Sequence, residues 1–314
     1  MPAPAVWATA PDRAEIRPAR TGSGTQIRTL FTGISRGTER LVLSGRIPDS
    51  EHDRMRAPFQ EGDFPFPVKY GYSAVGCATD GAYANRNVFA LFPHQDHFGL
   101  PDEALIPLPD DLPPERAVLA ANMETALNIL WDSGAGAGDR VTIIGAGLVG
   151  LLVGYLAARL PGAEVTVIDT LPSRQGPTRA LGCDFATPDR AVGERDVVIH
   201  TSASQAGLVQ ALDLAAPQAT VVEASWHGGA HVCLPLGGPF HSRRLRIISS
   251  QVGSVPPDRA PRWTYRRRLT KALDLLCDDR LDRLISGQTA FADIAYAYPD
   301  ILADPETLCH RITY

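Results

Sequence analysis

The chain lacks closely spaced cysteines. Its five, Cys77, Cys183, Cys233, Cys277 and Cys309, are scattered and odd in number. With no CxxC step, neither a disulfide framework nor a zinc ribbon is legible, and a reducing, cytoplasmic setting is expected. A basic excess is also missing. Thirty Lys and Arg face 35 Asp and Glu, for a net charge of −5. Electrostatic binding of nucleic acid needs a basic face, so it is not expected. The first ten residues have no basic start, and Asp12, Arg13 and Glu15 interrupt before an apolar run develops, so no targeting signal is expected. Internal repeats and low-complexity tracts are absent too. One uncharged run, residues 141–158 between Arg140 and Arg159, has the length of a membrane span. Its β-branched start stops at a glycine turn and resumes at helical spacing, which marks strand, turn and helix instead.

With 44% hydrophobic and 21% charged residues, the composition is that of a globular chain. Its 314 residues predict two domains. The first 130 residues, rich in Pro and Gly with short apolar runs, read as mostly β. Pro107, Pro109, Pro113 and Pro114 punctuate a linker before a helix expected over 115–131. From Asp139 the pattern alternates. Strands are expected over 140–144, 164–169, 196–201, 219–225 and 246–250, with helices over 148–160, 173–181 and 205–214. The predicted class is α/β, a β domain beside a doubly wound parallel sheet. A helix over 266–278 and a short closing β region complete the expectation.

Gly145-Ala146-Gly147-Leu148-Val149-Gly150 is a GxGxxG run between an expected strand and helix, and Asp169 ends the next strand. Glycines there permit a tight turn and close approach of backbone N–H groups to a pyrophosphate, and the helix N-terminus favours the anion. Asp169 would accept hydrogen bonds from ribose hydroxyls and repel a 2′-phosphate, favouring NAD over NADP; Arg174 is the residue that would reverse the preference. Thr201 and Ser202 are expected near the dinucleotide.

These features, with Gly138-Asp139-Arg140-Val141 leading into GAGLVG, resemble the medium-chain dehydrogenase/reductase family, zinc-type alcohol dehydrogenase branch. The resemblance implies a GroES-like catalytic domain (1–120), a Rossmann domain (121–262) and a return segment (263–314). The stretches Gly33–Arg40 and Arg54–Tyr72 are similar to the bacteriochlorophyllide a dehydrogenase group, which oxidises a hydroxyethyl side chain to an acetyl group. The resemblance implies a dinucleotide-dependent exchange of a secondary alcohol and a ketone in a cleft between the domains, a homodimer, and Thr125 contacting the nicotinamide. Double-bond reduction, or dinucleotide binding without catalysis, are the alternatives.

The departures are as informative. At the family's zinc-ligand positions stand Ser35, Tyr72 and Ala121, and the four-cysteine structural-zinc lobe is missing. No zinc is expected, and hydrogen-bond donors would stabilise charge on the reacting oxygen. Tyr72 is the leading candidate, against a role as mere filling. Thr38 and Glu39 lie where the family places its proton relay, Glu39 being otherwise a salt-bridge partner. Glu124 is either a base or an arginine's partner. His94 and His97 invite a metal reading that their loop context argues against. His227, His231 and His241 lie near the sheet's C-terminal edge, and His52, His200 and His310 carry no signal. The arginines between 243 and 268 read as a solvated face and helix start, or as holders of an anionic small-molecule substrate.

Overall fold

The computed structural model describes residues 2–314, which divide into two compact units: residues up to 121 with 269–314, and 122–268. No helix among the described residues is long and apolar enough to cross a membrane.

The first unit is β-rich. Thr25–Ser35 is its longest strand. It pairs with Ala74–Ala78 on one side and with Cys309–Thr313 on the other, so the C-terminal segment closes the sheet begun near the N-terminus. Cys309–Thr313 also pairs in parallel with Ile285–Ala290. A parallel pair needs a crossover, and the helix Ile294–Ala303 supplies it where only a closing β region was expected. A second sheet joins Arg13–Ala19, Ala3–Ala10, Val68–Lys69 and Glu61–Gly62. Arg116 ties the early and late segments: its Nε and Nη2 donate to the two Asp282 carboxylate oxygens at 2.7 and 2.8 Å. The helix expected over 115–131 is two helices, Pro114–Ala117 and Ala120–Ser133.

The second unit is a six-stranded parallel sheet. Its order is Asp184–Ala186, Glu164–Ile168, Arg140–Ile144, Arg195–His200, Ala215–Glu223 and Arg246–Ser249. Numbered along the chain this is 3-2-1-4-5-6, the doubly wound dinucleotide-binding order, with its switch point beside Arg140–Ile144. The helices Leu148–Ala157 and Gln205–Leu214 serve as crossovers. The first is apolar on nearly every side, because it packs within the core and has no wet face to present.

One arginine departs from the expected solvated face. Arg268 is 2% exposed and donates from Nε to Glu124 Oε1 at 2.9 Å, and to Asn128 Oδ1 and the Val252 carbonyl. Glu124 is therefore an arginine's partner, not a free base. Burial pushes its carboxyl pKa up, and the Arg268 guanidinium opposes that. Removing one member of such a pair strands the other charge. Arg268→Leu should cost about 3–5 kcal/mol in a denaturant unfolding series, and Arg268→Leu/Glu124→Leu should recover most of it.

Candidate functional site

In the second unit the chain leaves Arg140–Ile144 through Gly145 at φ +108, a conformation open to glycine. Gly150 must also be glycine: a Cβ there would sit 1.9 Å from the Gly145 carbonyl oxygen. A Cβ at Gly147 would meet nothing within 4 Å, so the space above the turn is open. Leu148–Ala157 begins immediately after, and Gly147 gives it no side-chain cap. Its first N–H groups thus have no side-chain acceptor of their own, the arrangement that suits a phosphate. Leu148 is buried and Val149 half-buried at this start.

The other expected binding residues surround the turn. Asp169 is half-buried, and its Oδ2 accepts from Ala146 N at 2.6 Å while Oδ1 accepts from Leu171 N at 2.9 Å. The carboxylate thereby braces the glycine loop itself. Arg174 is 5% exposed, packed into the unit instead of reaching out as a 2′-phosphate ligand would. Thr201 Oγ1 donates to the carbonyls of Ile144 and Gly145, at 3.2 and 3.0 Å. Ser202 is exposed, with its Oγ 2.7 Å from His200 Nε2. Thr125 is half-buried on Ala120–Ser133.

In the first unit, Ser35, Thr38 and Tyr72 come together. Ser35 ends the long strand, Thr38 lies on the helix Arg36–Leu43, and Tyr72 precedes Ala74–Ala78. The Ser35 and Thr38 side chains lie near the Tyr72 hydroxyl and lower its pKa. Burial and the Glu39 charge push it up to about 12, outweighing that effect, so the phenol is a donor at neutral pH and not a phenolate. At the positions the resemblance aligns with zinc ligands the chain thus offers a hydroxyl, a protonated phenol and the methyl of Ala121. That set does not fit zinc, which takes thiolate, imidazole or carboxylate.

Glu39 lies beneath this cluster, 1% exposed. Its Oε1 accepts from Ser35 N at 2.7 Å, and its Oε2 from Tyr298 Oη and, at 3.0 Å, from His94 Nε2. His94 Nδ1 lies 2.8 Å from Thr32 Oγ1, which lies 3.1 Å from the Tyr314 hydroxyl. Of the two roles left open for Glu39 the geometry favours the structural one, because both of its oxygens are engaged by hydrogen bonds. His94 is its partner, while His97 pairs with Asp96. Sequence reading missed Tyr298 and Tyr314, which come from the closing segment. It also passed over His200, which is fully buried and joined to Glu223 at 2.7 Å. Its position as the last residue of an apolar strand, where the carboxyl end faces a ligand crevice, was the available signal.

No family model matches the chain. Galactitol 1-phosphate 5-dehydrogenase of Escherichia coli K-12 is 23% identical over 249 residues, 73% of this chain and 66% of that protein, so the match spans just under two thirds of that relative's length. Among solved structures, L-idonate 5-dehydrogenase of Escherichia coli matches with a TM-score of 0.80 at 13% identity, over 100% of this chain and 99% of the other. A candidate zinc-binding dehydrogenase of Sinorhizobium meliloti, solved with NADP bound, matches over 100% of both chains, with a TM-score of 0.77 and 18% identity. The chain thus shares the fold of these dehydrogenases and is similar in sequence to alcohol and polyol dehydrogenases.

Proposed function

We propose that the chain is a dinucleotide-dependent oxidoreductase that interconverts a secondary alcohol and a ketone without catalytic zinc. A bound nicotinamide would supply the hydride for ketone reduction, and the protonated Tyr72 phenol is the group of this chain able to donate to the oxygen as its charge grows. The supporting observation is the Tyr72 hydroxyl, kept protonated by burial beside Ser35 and Thr38 at a position that the resemblance aligns with a metal ligand. As the carbonyl is reduced, charge grows on its oxygen. A neutral donor stabilises that charge without the metal. Glu39 acts through Ser35 and does not touch substrate.

NAD(H) is the proposed cofactor. Asp169 stands at the end of the second strand, where its charge disfavours a 2′-phosphate, and Arg174 is too buried to compensate one. Titration followed by nicotinamide fluorescence should show NADH binding more tightly than NADPH. The reverse order would overturn the assignment.

Turnover of secondary alcohols should persist in a chelator, and Tyr72→Phe should lower kcat by about 10²–10³ with NADH affinity unchanged. Unaltered kcat in Tyr72→Phe, or activity on enones alone, would refute the reading.

The tyrosines also set an alkaline limit. Burial raises the pKa of Tyr70, Tyr72, Tyr298 and Tyr314 above the ordinary value. Above pH ~10 the unfolded chain loses phenolic protons that the folded chain keeps. The stability they lend is therefore complete below pH 10 and falls as pH rises through 10 towards 12. Denaturation midpoints measured from pH 8 to 12 should fall across that window.

A further inference from the structure

His200 and Glu223 are the last residues of adjacent parallel strands and lie directly opposite each other in register. His227 follows four residues after Glu223 in the loop leaving the sheet. Glu223 Oε2 lies 2.7 Å from His200 Nδ1 and 3.4 Å from His227 Nε2. One ligand atom from each residue falls within 4.8 Å of the other two, and among the described residues no other cluster of three potential ligands forms. The His200 side chain is fully buried, and those of Glu223 and His227 are 16% exposed.

Outer hydrogen bonds hold the group in place. Glu223 Oε1 accepts from Ser225 N at 2.7 Å, which fixes the carboxylate and leaves Oε2 facing both rings. His200 Nε2 lies 2.7 Å from Ser202 Oγ, which fixes that ring. The protons do not account for every nitrogen. A neutral His200 donating from Nδ1 satisfies Oε2, with Ser202 donating to Nε2. His227 Nε2 is then left buried with no hydrogen-bond partner, 3.4 Å from the carboxylate. A buried imidazole nitrogen in that position costs free energy that a bound cation would recover.

We infer that His200 Nδ1, Glu223 Oε2 and His227 Nε2 form a binding site for a divalent transition-metal ion of the zinc class, outside the family's catalytic position. Two imidazoles and a carboxylate suit zinc, cobalt or nickel, with water at a fourth position. For bonds of about 2.0–2.1 Å, tetrahedral ligands stand about 3.3 Å apart. The His227–Glu223 separation already meets this, and the His200–Glu223 contact opens by about half an ångström as the metal replaces its proton. Binding releases that proton and pins the loop after Glu223 to the sheet edge. The pin reaches the glycine loop, since the backbone of Ser202 packs so closely on Gly145 that a Cβ there would lie 2.9 Å from Ser202 N.

The test is independent of turnover. The full chain, stripped by chelator, is titrated with Co²⁺ as a visible probe and then with Zn²⁺ in competition. One equivalent of Co²⁺ should bind, with d–d absorption of a low-coordinate nitrogen and oxygen site, and Zn²⁺ should displace it. His227→Ala and Glu223→Gln should each abolish the band. Ser202→Ala should weaken affinity about tenfold or more, as loss of an outer hydrogen bond does. His231→Ala, an exposed histidine of the same loop, should leave binding unchanged. Retained NADH binding in His227→Ala would show that the glycine loop is intact. No saturable Co²⁺ binding in the parent chain, or equal binding in parent and His227→Ala, would overturn the site.

Discussion

A carboxylate taken almost wholly out of water must find donors or lose its charge, and Glu39 organises the β-rich unit around that requirement. Its donors come from three separate places: the end of the long strand through Ser35 N, the loop at His94, and the closing helix through Tyr298. The proton count works with a neutral imidazole. His94 Nε2–H donates to Glu39, Thr32 donates to His94 Nδ1, and the Tyr314 hydroxyl donates to Thr32. Every member donates once and the carboxylate accepts, so the chain of bonds runs without an orphan from the C-terminal residue to the helix carrying Thr38. Ser35, which lies near the Tyr72 hydroxyl, is thereby fixed through its backbone N–H.

Much of the second unit was legible because its determinants are local. Gly145, Gly147 and Gly150 fall within six consecutive residues of one turn, the strand Arg140–Ile144 is a β-branched run, and Gln205–Leu214 has clear bounds. The closing region was harder. The helix Ile294–Ala303 contains Pro299, which argues against a helix in sequence terms, yet the parallel pairing of its flanking strands requires a crossover. The helix over 115–131 broke near Leu119 for a similar reason: its middle had no clean period, and two short helices need none.

What stayed illegible is pairing over long separations. Glu124 and Arg268 stand 144 residues apart, and Glu39 and Tyr298 stand 259 apart. Such contacts leave no periodic mark, since each partner alone resembles a surface residue. The late arginines illustrate the cost. Read together as a solvated stripe, they conceal one, Arg268, whose guanidinium organises the interior around Glu124 and Asn128.

The two histidine–carboxylate groups then separate by proton bookkeeping and not by composition. Around Glu39 each buried nitrogen and oxygen has a partner, so a cation would have to displace bonds that hold the sheet to its closing helix. Around Glu223 the same residue types leave His227 Nε2 unpaired, and the carboxylate oxygen it faces is already shared. A bound ion there displaces one proton and satisfies one orphan. The chain offers no zinc-type ligand at Ser35, Tyr72 and Ala121, and its histidine–carboxylate donor set stands instead in the other unit, at the strand ends bordering the glycine loop.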